Sequence, residues 1–200
     1  MNKYTLRYLA LGDSYTKGES ITHEGSFPVQ LQEFLTKKGI PCALPDIIAE
    51  TGWTTSDLNE SIEEKQPASE YDLVTLLIGV NNLYQGLGAS EYKMELETLL
   101  MKSIRFAGNR KERVFVLSIP DYGYTPFGNA DQGRISVLTD QFNALNREAS
   151  RKAGVHYIYI TGISRVDAPS MVAGDGLHPS ALQYQKWVEL LGKSVVINYK

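Results

Sequence analysis

Cys42 is the chain's one cysteine, so no disulfide can close within it, and cysteine usage leaves the compartment open. Set between Ile40-Pro41 and Ala43-Leu44, it reads as a small buried hydrophobe, not a nucleophile. No stretch approaches the roughly 20 apolar residues of a membrane helix, which argues against a membrane span. No long run of lysine or arginine exists, and a net charge of −3 offers no surface for nucleic acid. Histidine, cysteine and acidic residues are nowhere spaced as metal ligands, so no metal is expected. A phosphate-binding loop is missing too, because Gly12-Asp13-Ser14 lacks the later glycines and the lysine. No cofactor is expected. Met1-Asn2-Lys3-Tyr4 runs into a strand pattern with no signal-peptide core, which reads as cytoplasmic. A secreted or periplasmic protein whose signal had been removed would read the same way.

What is present is an ordinary globular composition, 42% hydrophobic and 22% charged, with no repeat and no linker. It fits a single domain over residues 1–200, long enough for a sizeable core. Five apolar runs alternate with helical stretches. The runs cover 6–11, 43–49, 73–78, 114–119 and 155–160. They lack polar alternation, as strands covered on both faces do. Between them, 27–38 carries Leu31, Phe34 and Leu35 on one face and stops at Gly39. Residues 55–65 open on threonine and serine capping candidates. The stretch 90–107 carries Met94, Leu96, Leu99, Leu100 and Ile104; 132–152 carries Ile135, Leu138, Phe142, Leu145 and Ala149. A last helix, with Pro179 near its first turn, runs through Trp187, Val188 and Leu191. This alternation predicts an α/β fold: a parallel sheet with helices on both faces and a site beyond the carboxyl ends of the strands.

The residues at those strand ends carry chemistry. Gly12 is expected to let the chain turn sharply, leaving the Ser14 hydroxyl exposed near backbone N–H groups, as an attacking serine requires. Asp13 is expected to hold that turn through backbone bonds. Gly52, after the second run, could present its N–H to the same space, and Asn81, after the third, could aim its amide at a developing oxyanion. Near the carboxyl end, the spacing Asp175-Gly176-Leu177-His178 lets the carboxylate meet one imidazole nitrogen and leave the other free, the relation of base and orienter in a serine hydrolase. Each piece alone is weak and reads more readily as an ordinary turn or loop. Together they place a nucleophile, two oxyanion donors and an acid–base pair at four strand ends of one sheet. The order Ser…Asp…His matches neither classical protease order.

The chain resembles the SGNH (GDSL-type) esterases and lipases. The resemblance rests on Leu9-Ala10-Leu11-Gly12-Asp13-Ser14, Thr51-Gly52-Trp53, Gly79-Val80-Asn81-Asn82 and Asp175-Gly176-Leu177-His178-Pro179. The four residues that name the family look like Ser14, Gly52, Asn81 and His178, in order. The resemblance implies a flavodoxin-like three-layer α/β/α fold with five parallel strands in the order 2-1-3-4-5. It also implies cofactor-free hydrolysis of carboxylic esters, the oxyanion being held by the N–H groups of Ser14 and Gly52 and the side chain of Asn81. Two positions depart from the family: Tyr15 stands where leucine is usual, and Asn82 where aspartate is usual. The second removes a carboxylate beside the oxyanion donor and is expected to alter the bonding behind it without abolishing activity.

Tyr15, Trp53, His23 and Tyr122 are the candidates for a substrate wall. Tyr122 lies in the aromatic loop 121–127, for which a plain surface loop with an anchoring tyrosine is the equal alternative. The expected partner is a small-molecule ester with a short acyl chain, an O-acetylated carbohydrate among the options; no long apolar lid segment suits long-chain fats. A thioesterase or lysophospholipase-type acyl hydrolase, a silent binding module on the same fold, and a nucleotide or phosphate binder are the competing readings. The oligomeric state is open.

Overall fold

A computed structural model describes residues 4–68 and 70–199. One five-stranded parallel sheet runs in the order β2-β1-β3-β4-β5. The strands are β1 (Tyr8–Asp13), β2 (Asp46–Glu50), β3 (Leu73–Leu77), β4 (Val114–Leu117) and β5 (His156–Ile158). The three inner strands are buried at every position, which is why they read as unbroken apolar runs. The edge strands β2 and β5 are partly exposed, and both are shorter than their sequence runs. Register is set by pairs such as Leu11↔Ile48, Leu11↔Leu76 and Leu76↔Val116. Inside this apolar sheet the hydroxyls of Tyr8 and Thr75 satisfy each other at 2.9 Å.

Among the described residues, five long helices cover the sheet. On one face α2 (Phe27–Lys37) packs against α8 (Ala181–Asn198); α3 (Thr55–Lys65), α5 (Ala89–Phe106) and α6 (Gln132–Ala153) form the other layer. Their ends follow from local chemistry. A reciprocal pair of bonds between Thr54 and Asp57 starts α3, and Gly154, in a left-handed conformation, ends α6. Three short helices, α1 (Ser14–Lys17), α4 (Val80–Tyr84) and α7 (Thr161–Ser164), follow strand ends, and the sequence pattern does not show them.

Two local expectations are corrected. Met94 is 66% exposed, so the buried stripe of α5 runs through Tyr92, Leu96, Leu99, Leu100, Ser103 and Phe106. Pro179 lies outside α8: it bridges to Val172, and Ser180 caps the helix by accepting from the Gln183 N–H at 3.2 Å. Cys42 is buried as expected, which pushes its thiol up to about 12 and leaves it unreactive.

Candidate active site

The turn carrying Ser14 is built differently from the sequence expectation. Gly12 is an ordinary strand residue, and β1 continues through Asp13. Glycine is needed there for space: a Cβ would collide with the Leu77 carbonyl oxygen of the neighbouring strand and with Thr16 Oγ1. Asp13 caps α1, its Oδ1 accepting from the Tyr15 N–H at 3.0 Å, and so holds the turn as expected. Burial pushes its carboxyl up to about 7, against the opposing pull of the backbone N–H groups of Tyr15 and of Asp13 itself. Ser14 is the first residue of α1.

At the other end of the chain, Asp175 closes a tight loop. Its Oδ1 accepts from the N–H groups of Leu177 (2.9 Å) and His178 (3.0 Å). Its Oδ2 faces His178 Nδ1 at 2.6 Å and accepts from the Ser20 hydroxyl at 2.7 Å. Burial opposes the charged form, but the donors from Ser20, His178 and Leu177 outweigh it and hold the carboxyl well below the usual carboxylate range. A carboxylate on Nδ1 keeps the hydrogen there and leaves Nε2 free to accept. The Tyr15 ring stands edge-on to the imidazole, 5.7 Å between centroids. Ser20 is absent from the sequence reading. It holds a left-handed φ of 64°, uncommon for a residue with a side chain, and no motif marks it.

Ser14, Gly52, Asn81 and His178 all line one cavity of about 310 Å³. Among the described residues the Ser14 hydroxyl makes no hydrogen bond, so the expected contact between Ser14 and His178 is not made, although both line the cavity; catalytic bonds of this kind commonly tighten only with substrate present. Gly52 has a φ of 86°, a conformation that favours glycine, and a Cβ there would meet open space. Asn81 gives one amide hydrogen to the Trp53 carbonyl at 2.9 Å and keeps the second free. Asn82 turns away from the cavity: its Oδ1 accepts from the Thr55 N–H at 3.0 Å and its Nδ2 donates to Thr55 Oγ1 at 2.7 Å.

Of the expected wall, Tyr15 and Tyr122 line the cavity. Trp53 and His23 do not. The Trp53 ring lies under the Lys65 ammonium instead, 5.5 Å from its centroid. His23 is exposed in the short turn His23–Gly25. Thr51, Val80, Tyr84, Phe127 and Leu177 complete the lining. Tyr84, Tyr122 and Phe127 form a three-ring cluster with centroids 6.1–6.5 Å apart. Tyr84 lies three residues beyond Asn81 on α4, and that helix, too short to show in the sequence pattern, is what turns it to the cavity. The loop bearing Tyr122 is anchored by buried Asp121, which accepts from Gly123 N–H, Ser136 Oγ and Arg165 Nε. Phe127 N–H then ties that loop to the Gly176 carbonyl at 3.0 Å. Among the described residues, no group of three or more His, Cys, Asp or Glu could hold a metal ion, and no helix is long and apolar enough to cross a membrane.

A family model, the GDSL-like lipase/acylhydrolase family, matches residues 10–186. The chain belongs to that family. A catalytic triad and an oxyanion hole come with membership. No curated protein sequence matches the chain. Solved structures with the same fold include an acetylxylan esterase from Geobacillus stearothermophilus (17% identity, TM-score 0.72, 99% of this chain and 96% of that one). A psychrotrophic esterase from Pseudoalteromonas sp. has 16% identity and a TM-score of 0.68, over 96% and 97% of the two chains. A lipase/acylhydrolase from Enterococcus faecalis has 20% identity and a TM-score of 0.70, over 95% of each. The family is one of acyl-ester hydrolases, and its five-stranded order 2-1-3-4-5 is the order found here.

Proposed function

We propose that this GDSL-family chain is a single-domain serine esterase acting on small, uncharged carboxylic esters through an acyl-enzyme on Ser14. His178 Nε2 takes the Ser14 proton as Oγ attacks the ester carbonyl, while Asp175 holds the imidazole and offsets the charge it gains. The carbonyl oxygen becomes an oxyanion facing the N–H groups of Ser14 and Gly52 and the free amide hydrogen of Asn81. Collapse expels the alcohol, which leaves with the proton held on His178. Water repeats the sequence against the acyl-enzyme and releases the acid.

The observation that carries this reading is the Asp175–His178 pair, at 2.6 Å, opening on the cavity that Ser14, Gly52 and Asn81 also line. The cavity suits a neutral substrate, since among the described residues no lysine, arginine, aspartate or glutamate lines it. A volume of about 310 Å³, at the small end for ligand pockets, favours short acyl groups. O-acetyl groups on carbohydrates are the leading natural class: the Geobacillus stearothermophilus neighbour is an acetylxylan esterase, and exposed aromatic edges such as those of Tyr84 and Phe127 suit sugar faces.

The test is a panel of p-nitrophenyl esters of increasing acyl length together with acetylated sugars. The reading expects hydrolysis of the acetyl esters, falling with acyl length, and release of acetate from the sugars. Preference for long acyl chains would overturn the substrate assignment, and a protein inert towards every member would overturn the esterase itself.

A further inference from the structure

Behind the cavity lies a chain of hydrogen bonds with a fixed direction. Asn82 is fully buried, and both ends of its carboxamide are used on one residue, Thr55. Its orientation is determined by the partners: turned over, its NH₂ would face the Thr55 N–H, donor against donor. Nδ2 must therefore donate to Thr55 Oγ1. That hydroxyl has one hydrogen, and it goes to the Glu95 carboxylate on α5. The donors run Asn82 to Thr55 to Glu95, ending on the only carboxylate in the series. A carboxylate at position 82 would have no hydrogen to give, and two acids would compete for one hydroxyl.

The same short segments carry two of the three oxyanion donors. Asn81 binds the Trp53 carbonyl and Asn82 binds Thr55, so consecutive residues of α4 clasp the chain on both sides of Thr54, immediately after Gly52. Asn59 adds a tie from α3 to α5 by donating to the carbonyls of Thr55 (3.1 Å) and Glu95 (3.3 Å). Gly79 seats the start of α4 on α5, since a Cβ there would lie 2.5 Å from the Tyr92 ring. The α4 turn and the Gly52 turn are thus held to each other and to α5.

We infer that Asn82, Thr55 and Glu95 form a positioning relay that fixes Asn81 and Gly52 relative to each other for the oxyanion. The inference rests on the esterase reading above. None of the three touches the reacting atoms; they act by holding the donors still, and small misplacements of such groups are costly in rate.

The test is a double-mutant cycle on p-nitrophenyl acetate, reading kcat, KM and Tm for Asn82→Asp, Glu95→Gln and the pair. Asn82→Asp should lower kcat on the order of 10–100-fold with KM little changed. Glu95→Gln alone should cost less, because the amide oxygen it introduces still accepts from Thr55. The double variant should recover most of the Asn82→Asp loss. In it the direction of the chain reverses: the new amide at position 95 donates to Thr55, and Thr55 donates to the new carboxylate at position 82. A relay of this kind is the reason one substitution repairs another. Should Asn82→Asp fail to fold, Thr55→Ser and Thr55→Val pose the same question, and only the valine variant should lose kcat. Unchanged kcat in Asn82→Asp, or a double variant no better than it, overturns the relay. Ser14-dependent activity in the parent with a flat cycle overturns the relay alone; a parent without such activity overturns the esterase reading, and the relay falls with it.

Discussion

In the proposed mechanism Asn81 is the oxyanion donor that substitution can remove, since the other two are backbone N–H groups. One of its amide hydrogens is spent on Trp53, and the second is the one available to an oxyanion. Asn81→Ala should lower kcat on the order of 10²–10³-fold while KM changes little, because charge on the oxygen grows mainly in the transition state. Steady-state kinetics on a short-chain ester checks this; a KM effect with kcat intact would make Asn81 a ground-state binding residue instead. At this scale the sequence was a good guide wherever a residue's role depends on its neighbours in the chain. Asp175 and His178 are three apart, and their contact could be read from that spacing. Ser20, which donates to Asp175 from 155 residues away, could not be read, because its role exists only after folding. Trp53 shows the converse: adjacent to Gly52 in sequence, its ring turns to Lys65, while Tyr84, on another element, lines the cavity.

At the scale of elements, β1 and α1 form the most constrained junction. Gly12 sits where β1 meets β3, and the contact that excludes a side chain is partly with backbone, which cannot rotate away. Gly12→Ala should therefore destabilise the fold by about 1–3 kcal/mol, the usual range for an overpacked core, and should disturb Ser14 two residues on. Urea unfolding of the variant checks this; an unchanged midpoint would mean that the strands can part at little cost. Beyond this junction, the Lys17–Glu50 ion pair and the Thr51–Glu19 bond tie the loop after α1 to the end of β2. The inner strands were legible because burial on both faces writes an unbroken apolar run. The edges β2 and β5 were read too long, since flanking apolar residues such as Leu44, 68% exposed, extend the run without joining the sheet. Helices α1, α4 and α7, of four or five residues, are too short to show a period.

For the whole molecule, the strand order places the site. With β1 between β2 and β3, the carboxyl ends of three strands bring Ser14, Gly52 and Asn81 together, and the loop before α8 brings His178 to them. The arrangement buries Asp13 next to Ser14, and this has a consequence for stability. In the folded chain the Asp13 carboxyl sits at about 7, above its ordinary value of 3.8. Between those values the folded form keeps a proton that the unfolded form releases, so stability falls as pH rises through this window and levels off above it. Asp13→Asn keeps the cap on Tyr15 and removes the ionisation, so its advantage over the parent should grow from about pH 4 to about pH 7. Thermal unfolding across that range decides it; parallel Tm profiles for the two proteins would refute the argument.

The central claim is that Ser14 is the nucleophile and His178 its base. It is tested most directly by labelling the protein with a fluorophosphonate and mapping the adduct by peptide mass spectrometry. The expected result is one adduct, on Ser14, absent in Ser14→Ala and formed much more slowly in His178→Ala. An adduct on another residue, or an active esterase that takes no label at Ser14, would contradict it.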